Sequence, residues 1–165
     1  MLRKENSFAP IVNRNSRILI LGSFPSVLSV EHKFYYANER NHFWPIMNEV
    51  FCGNARTNLQ RKNLVLRNKI ALWDSVQMCE RENSADNKLK VMTGNDIRGL
   101  LEKYPKIHTI FFNGKKSQQV YLKYHKEIEI FHQPLPSTSP AYAAMKYSEK
   151  LRIYRENIEK RLSCE

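Results

Sequence analysis

A chain of 165 residues that is 42% hydrophobic carries enough apolar material for one sizeable core and too much for wholesale disorder. Its 27 Lys and Arg against 16 Asp and Glu leave a net charge of +11, a surplus that attracts polyanions, although a merely basic soluble protein would carry it too. No apolar run approaches the ~20 residues of a membrane span, and the start Met1-Leu2-Arg3-Lys4-Glu5-Asn6 lacks the apolar stretch of a secretory signal, so the expected location is cytoplasmic.

Residues 1–16 are polar without a clear period and read as an N-terminal arm on a single domain. Arg17 to Leu21 is a strand whose unbroken apolar run, Ile18 to Leu21, suits a central parallel position covered on both faces. A long loop, Gly22 to Trp44, follows it and contains the turn Gly22-Ser23-Phe24-Pro25-Ser26 and three consecutive aromatics, Phe34, Tyr35 and Tyr36. Asn41 to Cys52 reads as a helix with Phe43, Met47, Val50 and Phe51 on one face and Pro45 tolerated in its first turn. A second helix is predicted over Thr57 to Asn68, then a strand over Lys69 to Trp73 that ends in Asp74-Ser75. Met78 to Met92 is charged and weakly patterned, as a surface excursion would be. A short helix spans Asp96 to Tyr104, a strand Ile107 to Phe112, and a helix runs on to His125. Glu127 to Phe131 alternates isoleucine with charge and predicts a marginal strand. Lys146 to Leu162 closes the chain as a helix with Tyr147, Leu151, Tyr154, Ile158 and Leu162 in a stripe. Strands separated by helices, without hairpin signals, predict an α/β domain with a mostly parallel sheet.

In open α/β sheets ligands bind beyond the carboxyl ends of the strands, which makes the loop from Gly22 to Trp44 a candidate reaction site. The stretch Leu135-Pro136-Ser137-Thr138-Ser139-Pro140-Ala141 answers it near the other end of the chain. Neither loop is a GxGxxG or Walker sequence, which argues against a nucleotide cofactor. The 3 cysteines (Cys52, Cys79, Cys164) and 5 histidines (His32, His42, His108, His125, His132) show no ligand spacing, so no metal is expected.

The ordered set GSFPS after a buried strand, YYANERNHFW, ALWDSVQMCER with NSAD, IFFNG, and LPSTSPA before a last helix resembles the uracil-DNA glycosylase superfamily, and most nearly its hypoxanthine-DNA (deoxyinosine) branch. The resemblance touches most of residues 17–145. It implies a three-layer α/β/α sandwich around a four-stranded sheet and hydrolysis of a deaminated base from DNA, without a metal or other cofactor. A monomeric enzyme working on nucleoid DNA is expected. Two alternatives stand beside it: a uracil or mismatch glycosylase, and a catalytically silent nucleic-acid-binding module on the same fold.

An enzyme acting on a base must extrude it from the duplex, at roughly a few kcal/mol of unstacking, and stacking on an aromatic side chain recovers ~1–3 kcal/mol per base. Tyr36 stands where mismatch-specific relatives keep their stacking aromatic, although Phe34, Tyr35 and Tyr36 could equally plug the loop onto the core. Base release needs a water aimed at the anomeric carbon and a group that stabilises the leaving base, and a carboxamide does both without a pKa requirement. Mismatch-specific relatives place that amide where this chain has Phe24, which can do neither. In the hypoxanthine branch the catalytic Asn precedes Phe-Trp, which is Asn41 here, also a good helix N-cap. Ser137, Thr138 and Ser139 match the family's loop that grips phosphates, with an ordinary Pro-Ser turn as the alternative. Ser23 and Ser26 are further candidates for contact with base or phosphate. Asn113 at a strand end could read a base edge or make a turn. Lys115 and Lys116 could meet phosphate, Tyr142 could touch DNA, Asp74 could position water or cap a helix, and His42 is the histidine nearest the expected pocket.

Overall fold

The computed structural model describes residues 3–81 and 90–164. Its centre is a parallel sheet of β2 (Ile18–Gly22), β3 (Ile70–Asp74), β6 (Thr109–Asn113) and β7 (Phe131–Leu135), in the order β3-β2-β6-β7. Side chains alternate across it with the two-residue period of a strand. Ile18 and Ile20 enter one core with Ile70, Leu72 and Phe111, while Leu19 and Leu21 enter the other with Ala71, Ile110 and Phe112. On the first face pack α2 (Phe43–Val50), α3 (Asn58–Arg67) and α6 (Tyr147–Leu162), through residues such as Trp44, Met47, Leu64, Tyr154 and Ile158. On the second lie α4 (Ile97–Lys103) and α5 (Lys115–His125), through Ile97, Leu100 and Tyr121. The expected three-layer α/β/α sandwich is therefore present. Asp96 caps α4 through Gly99, and a reciprocal Thr57–Gln60 capping box starts α3.

Three features differ from the sequence reading. The arm and the surface excursion contain a second, antiparallel sheet, β1 (Arg3–Asn6), β4 (Val76–Arg81) and β5 (Lys90–Gly94), in the order β1-β4-β5. Residues 82–89 of the excursion lie outside the described residues. Beyond β1 the arm runs along β3, where Ile11 and Leu72 exchange backbone hydrogen bonds of 2.9 Å and cover that edge. The last parallel strand begins at Phe131, where the alternating stretch was expected to end. It is an edge strand and so tolerates Pro134, opposite Phe112. Within the long loop stands a six-residue helix, α1 (Val27–His32).

Carboxyl ends of neighbouring strands come together at one rim. Gly22 is the register partner of Asp74, and Asn113 that of Leu135. Connections leave β2 and β6 toward opposite edges of the sheet, so this rim holds a topological switch point, the usual place for a ligand.

Candidate active site

A cleft of about 350 Å³ opens at that rim, near the small end of the ~300–1,000 Å³ typical of ligand sites. Nine of the residues singled out from the sequence line it: Ser23, Phe24, Ser26, Tyr36 and Asn41 from the first loop, Asn113 from β6, and Ser137, Thr138 and Ser139 from the second. Gly22, Ser29, Tyr35, Asp74 and Tyr142 are also among the residues that line it.

The aromatic run divides its work. Phe34 stacks on Trp44 with centroids 5.7 Å apart, and Tyr35 is buried with its hydroxyl donating to the Ala9 carbonyl at 2.9 Å. The Trp44 indole N–H in turn donates to the Tyr35 carbonyl at 2.8 Å. These two residues are the plug. Burial first, and then the nearby Asp74 and Tyr36, push the Tyr35 hydroxyl well above its ordinary pKa, so it stays protonated in this role. Tyr36 instead turns into the cleft, half-buried, on a left-handed backbone (φ 52°) that non-glycine residues seldom adopt. Stacking on Phe43, at 4.1 Å and 27°, holds its ring in place.

Asn41 lies two residues before the first residue of α2, and the N-cap position expected of it is taken by His42. The Asn41 Oδ1 accepts the Phe43 N–H at 2.9 Å, which fixes the amide orientation and helps start the helix. Its NH2 group makes no hydrogen bond among the described residues, and the side chain lines the cleft. The bond that braces the start of α2 and a substrate-facing role are thus carried by different atoms. His42, by contrast, lines a neighbouring hollow of about 530 Å³ rather than this cleft, with its ring edge-on to Tyr147. Burial, helped by Lys150, keeps the His42 pKa below its usual value.

The second loop is fastened at several points. Asn113 Nδ2 donates to Thr138 Oγ1 and Asn113 Oδ1 accepts the Thr138 N–H, both at 2.9 Å. The Thr138 carbonyl accepts the His42 N–H at 3.0 Å, joining this loop to the residue beside Asn41. Tyr154 donates to the Pro136 carbonyl at 2.7 Å, and the buried Lys150 ammonium to the Tyr142 carbonyl at 2.8 Å. Gly114 has φ 92° and ψ 164°, a conformation essentially reserved for glycine, and a Cβ there would meet Ser137 Cβ at 3.3 Å.

These bonds revise several expectations. Thr138 is fully buried with its hydroxyl engaged by Asn113, so it anchors the loop and does not turn that hydroxyl outward. Asn113 uses one donor and one acceptor on that anchor, leaving one of each toward the cleft. The Ser26 hydroxyl is the N-cap of α1, accepting from Ser29 N–H and donating to Ser29 Oγ. Ser137 and Ser139 are half-buried, and each accepts a backbone N–H from two residues on, which leaves its own O–H to give away. Phe24 forms an apolar wall with Val76, Cys79 and Val120 behind it. Asp74 caps no helix: a strand follows it, and its side chain sits buried in the cleft floor. Lys115 and Lys116 begin α5 outside the cleft. Ser29 escaped the sequence reading because only the unforeseen α1 turns it inward. Among the described residues no group of three or more His, Cys, Asp or Glu side chains could hold a metal ion, and no helix is long and apolar enough to cross a membrane.

The sequence model of the Uracil DNA glycosylase superfamily matches residues 9–163. The Hypoxanthine DNA glycosylase of Methanosarcina acetivorans is 36% identical over 115 residues, 68% of this chain and 73% of that protein. Its namesake from Methanosarcina barkeri is 35% identical over 116 residues, 69% of this chain and 73% of the other. A Methanosarcina acetivorans protein, whose NMR solution structure carries a provisional uracil DNA glycosylase designation, superposes with a TM-score of 0.80 at 31% identity, covering 95% of this chain and 99% of that one. With the parallel sheet, the rim cleft and the match along nearly its whole length, the chain belongs to the uracil DNA glycosylase superfamily.

Proposed function

We propose that this protein is a monofunctional DNA glycosylase that removes deaminated bases, hypoxanthine foremost. Water adds to the anomeric carbon, the bond to the base nitrogen breaks with its electron pair leaving on the base, and the base takes up the proton the water loses. The products are free base and an abasic site. Asn41 supplies the uncharged amide that orients water or base; the observation that carries this reading is its unengaged NH2 group in a cleft between two proline-bearing loops. Tyr36 gives the extruded base a stacking face, Phe24 an apolar wall, and Ser23 and Asn113 polar contacts to its edge. Ser137 and Ser139 hold phosphates through their remaining O–H groups, with Thr138 as their anchor and Ser26 supporting from α1. No step calls on a metal or cofactor. The enzyme works as a monomer on DNA, in the cytoplasm and at the nucleoid.

Oligonucleotides carrying deoxyinosine, deoxyuridine or deoxyxanthosine, treated with alkali after incubation, report abasic sites as strand scission. Deoxyinosine DNA should be cut fastest, and Asn41→Ala should abolish cutting while binding the same DNA. Cutting by that variant at the parental rate removes Asn41 from the mechanism; no cutting of any substrate by the parent protein leaves the DNA-binding module instead.

A further inference from the structure

Lys150, in the first turn of α6, is 1% exposed, and so far it serves only to fasten the second loop. Its ammonium donates to the Tyr142 carbonyl at 2.8 Å and lies 5.1 Å from the centroid of the Tyr142 ring. Among the described residues no carboxylate pairs with it. A buried ammonium disfavours the folded state unless an anion offsets it, and a carbonyl and a ring face offset only part of that cost. Tyr142, which Lys150 holds from beneath, lines both the cleft and the neighbouring hollow of about 530 Å³. Arg40 and Lys146 line that hollow too; both are exposed, and neither makes an ion pair among the described residues. The one acid in its wall is Glu39, whose charge also acts on Arg61. His42 is part of the same wall, and Lys150 helps to hold its pKa down, so the buried charge is felt in the hollow. Three cations thus gather against one carboxylate beside the cleft.

Resting on the glycosylase reading, we propose that the hollow is a phosphate site of its own: it takes a phosphodiester next along the strand from those that Ser137 and Ser139 hold, between Arg40 and Lys146, with Lys150 as the buried counter-charge beneath Tyr142. Ser139 lines the cleft and Pro140, its neighbour in the chain, lines the hollow, so a strand gripped at Ser139 meets the hollow next. Phosphate contacts fix the register of a strand without reading its sequence, which suits a place outside the base cleft. Charge acts at a distance, and a buried ammonium therefore attracts a phosphate without touching it. Arg40 and Lys146 are long exposed side chains that lose rotamer freedom when they close on a phosphate. Lys150 is already held by the Tyr142 carbonyl, so its share of the attraction comes without that loss. The phosphate in turn supplies the anion that the folded protein lacks around this lysine.

Short single-stranded oligonucleotides test the assignment. Each carries one 2′-fluorodeoxyinosine, whose fluorine disfavours charge on the sugar and so slows base release, and one uncharged methylphosphonate in place of a phosphate. The methylphosphonate is stepped along both sides of the lesion, and dissociation constants are read by fluorescence anisotropy in about 0.1 M salt. At one linkage the parent should lose about three- to tenfold in affinity, and in Lys150→Met, which keeps a long side chain without its charge, that penalty should shrink toward none. Penalties at the other linkages should persist. A merely structural latch would weaken binding of every oligonucleotide alike and leave each penalty where it was, and that result overturns the proposal. A parent that shows no penalty at any linkage overturns it too. Should Lys150→Met not fold, Lys146→Gln decides from the surface: the penalty at the same linkage must shrink, and an unchanged one overturns the site. Base release is read separately on unmodified deoxyinosine DNA. Its absence from the parent overturns the glycosylase reading, while the pattern of penalties still decides whether the hollow holds a phosphate.

Discussion

A carboxamide that already receives the Phe43 N–H through Oδ1 presents to the cleft both hydrogens of Nδ2 and one remaining lone pair. It can donate to an electron-rich base or place a water without changing its helix-starting bond. Asn41→Asp separates the two duties, since an aspartate oxygen accepts the Phe43 N–H as the asparagine oxygen does but has no hydrogen to donate when ionised. The thermal midpoint should stay within a degree or two, while single-turnover release of hypoxanthine falls by about 10²–10³, the range for losing a preorganised donor. A variant that melts early with an unaltered rate would reduce Asn41 to a brace for α2. Gly22 is a second residue whose identity follows from its surroundings, because any Cβ there collides with Asp74 Oδ1. Gly22→Ala should lower the release rate by displacing Asp74 or Tyr36, and the same single-turnover assay reads it.

Loops of this kind keep their shape through the elements beneath them. The second loop is fastened to the β6 end by Asn113, to α6 by Tyr154 and Lys150, and to the start of α2 through the Thr138 carbonyl. Gly114, whose backbone conformation suits only glycine, lets Ser137 close against it. Gly114→Ala should destabilise the fold by about 1–3 kcal/mol, measured from urea midpoints, with activity falling further because Ser137 is displaced. The unbroken apolar run from Ile18 to Leu21 was enough to foresee a strand buried on both faces, and the aromatics of α2 a helix with one buried side. The antiparallel sheet was hidden because Arg-Lys-Glu-Asn and Val-Gln-Met-Cys-Glu-Arg lack any apolar period. At β7 the Glu-Ile alternation drew the expected strand into the preceding turn, and Pro134 obscured the real one. Site residues were legible as motif letters, but their partners were not. That Ser26 caps α1, or that Thr138 faces Asn113, depends on contacts set by the folded backbone.

Across the whole molecule a net charge of +11 should make DNA affinity steeply salt-dependent, each neutralised phosphate adding about 0.9 to the log–log slope. Lys115 is exposed at the start of α5, next to the glycine that abuts Ser137, and Lys115→Gln should lower that slope by about 1 in a titration of undamaged duplex. The same surplus of positive charge bears on stability, together with two imidazoles. His42 is held neutral by burial and then Lys150, His108 by burial and then Arg161, so both fold with pKa values below 6.5. Between those depressed values and 6.5 the unfolded chain binds more protons than the folded one, and the free energy of unfolding therefore rises with pH. Above that window neither histidine contributes to the slope, and keeping the range above pH 5 leaves most carboxylates out of it. Urea midpoints should fall as pH drops from 7.5 to 5, and the drop should shrink in the double variant His42→Gln, His108→Gln. General self-repulsion of a basic chain also grows as pH falls, but salt screens it between exposed charges, whereas the largest cause at these two half-buried imidazoles is desolvation, which salt does not screen. The difference between parent and double variant should therefore survive in 0.5 M salt; its disappearance there would assign the acid sensitivity to surface charge.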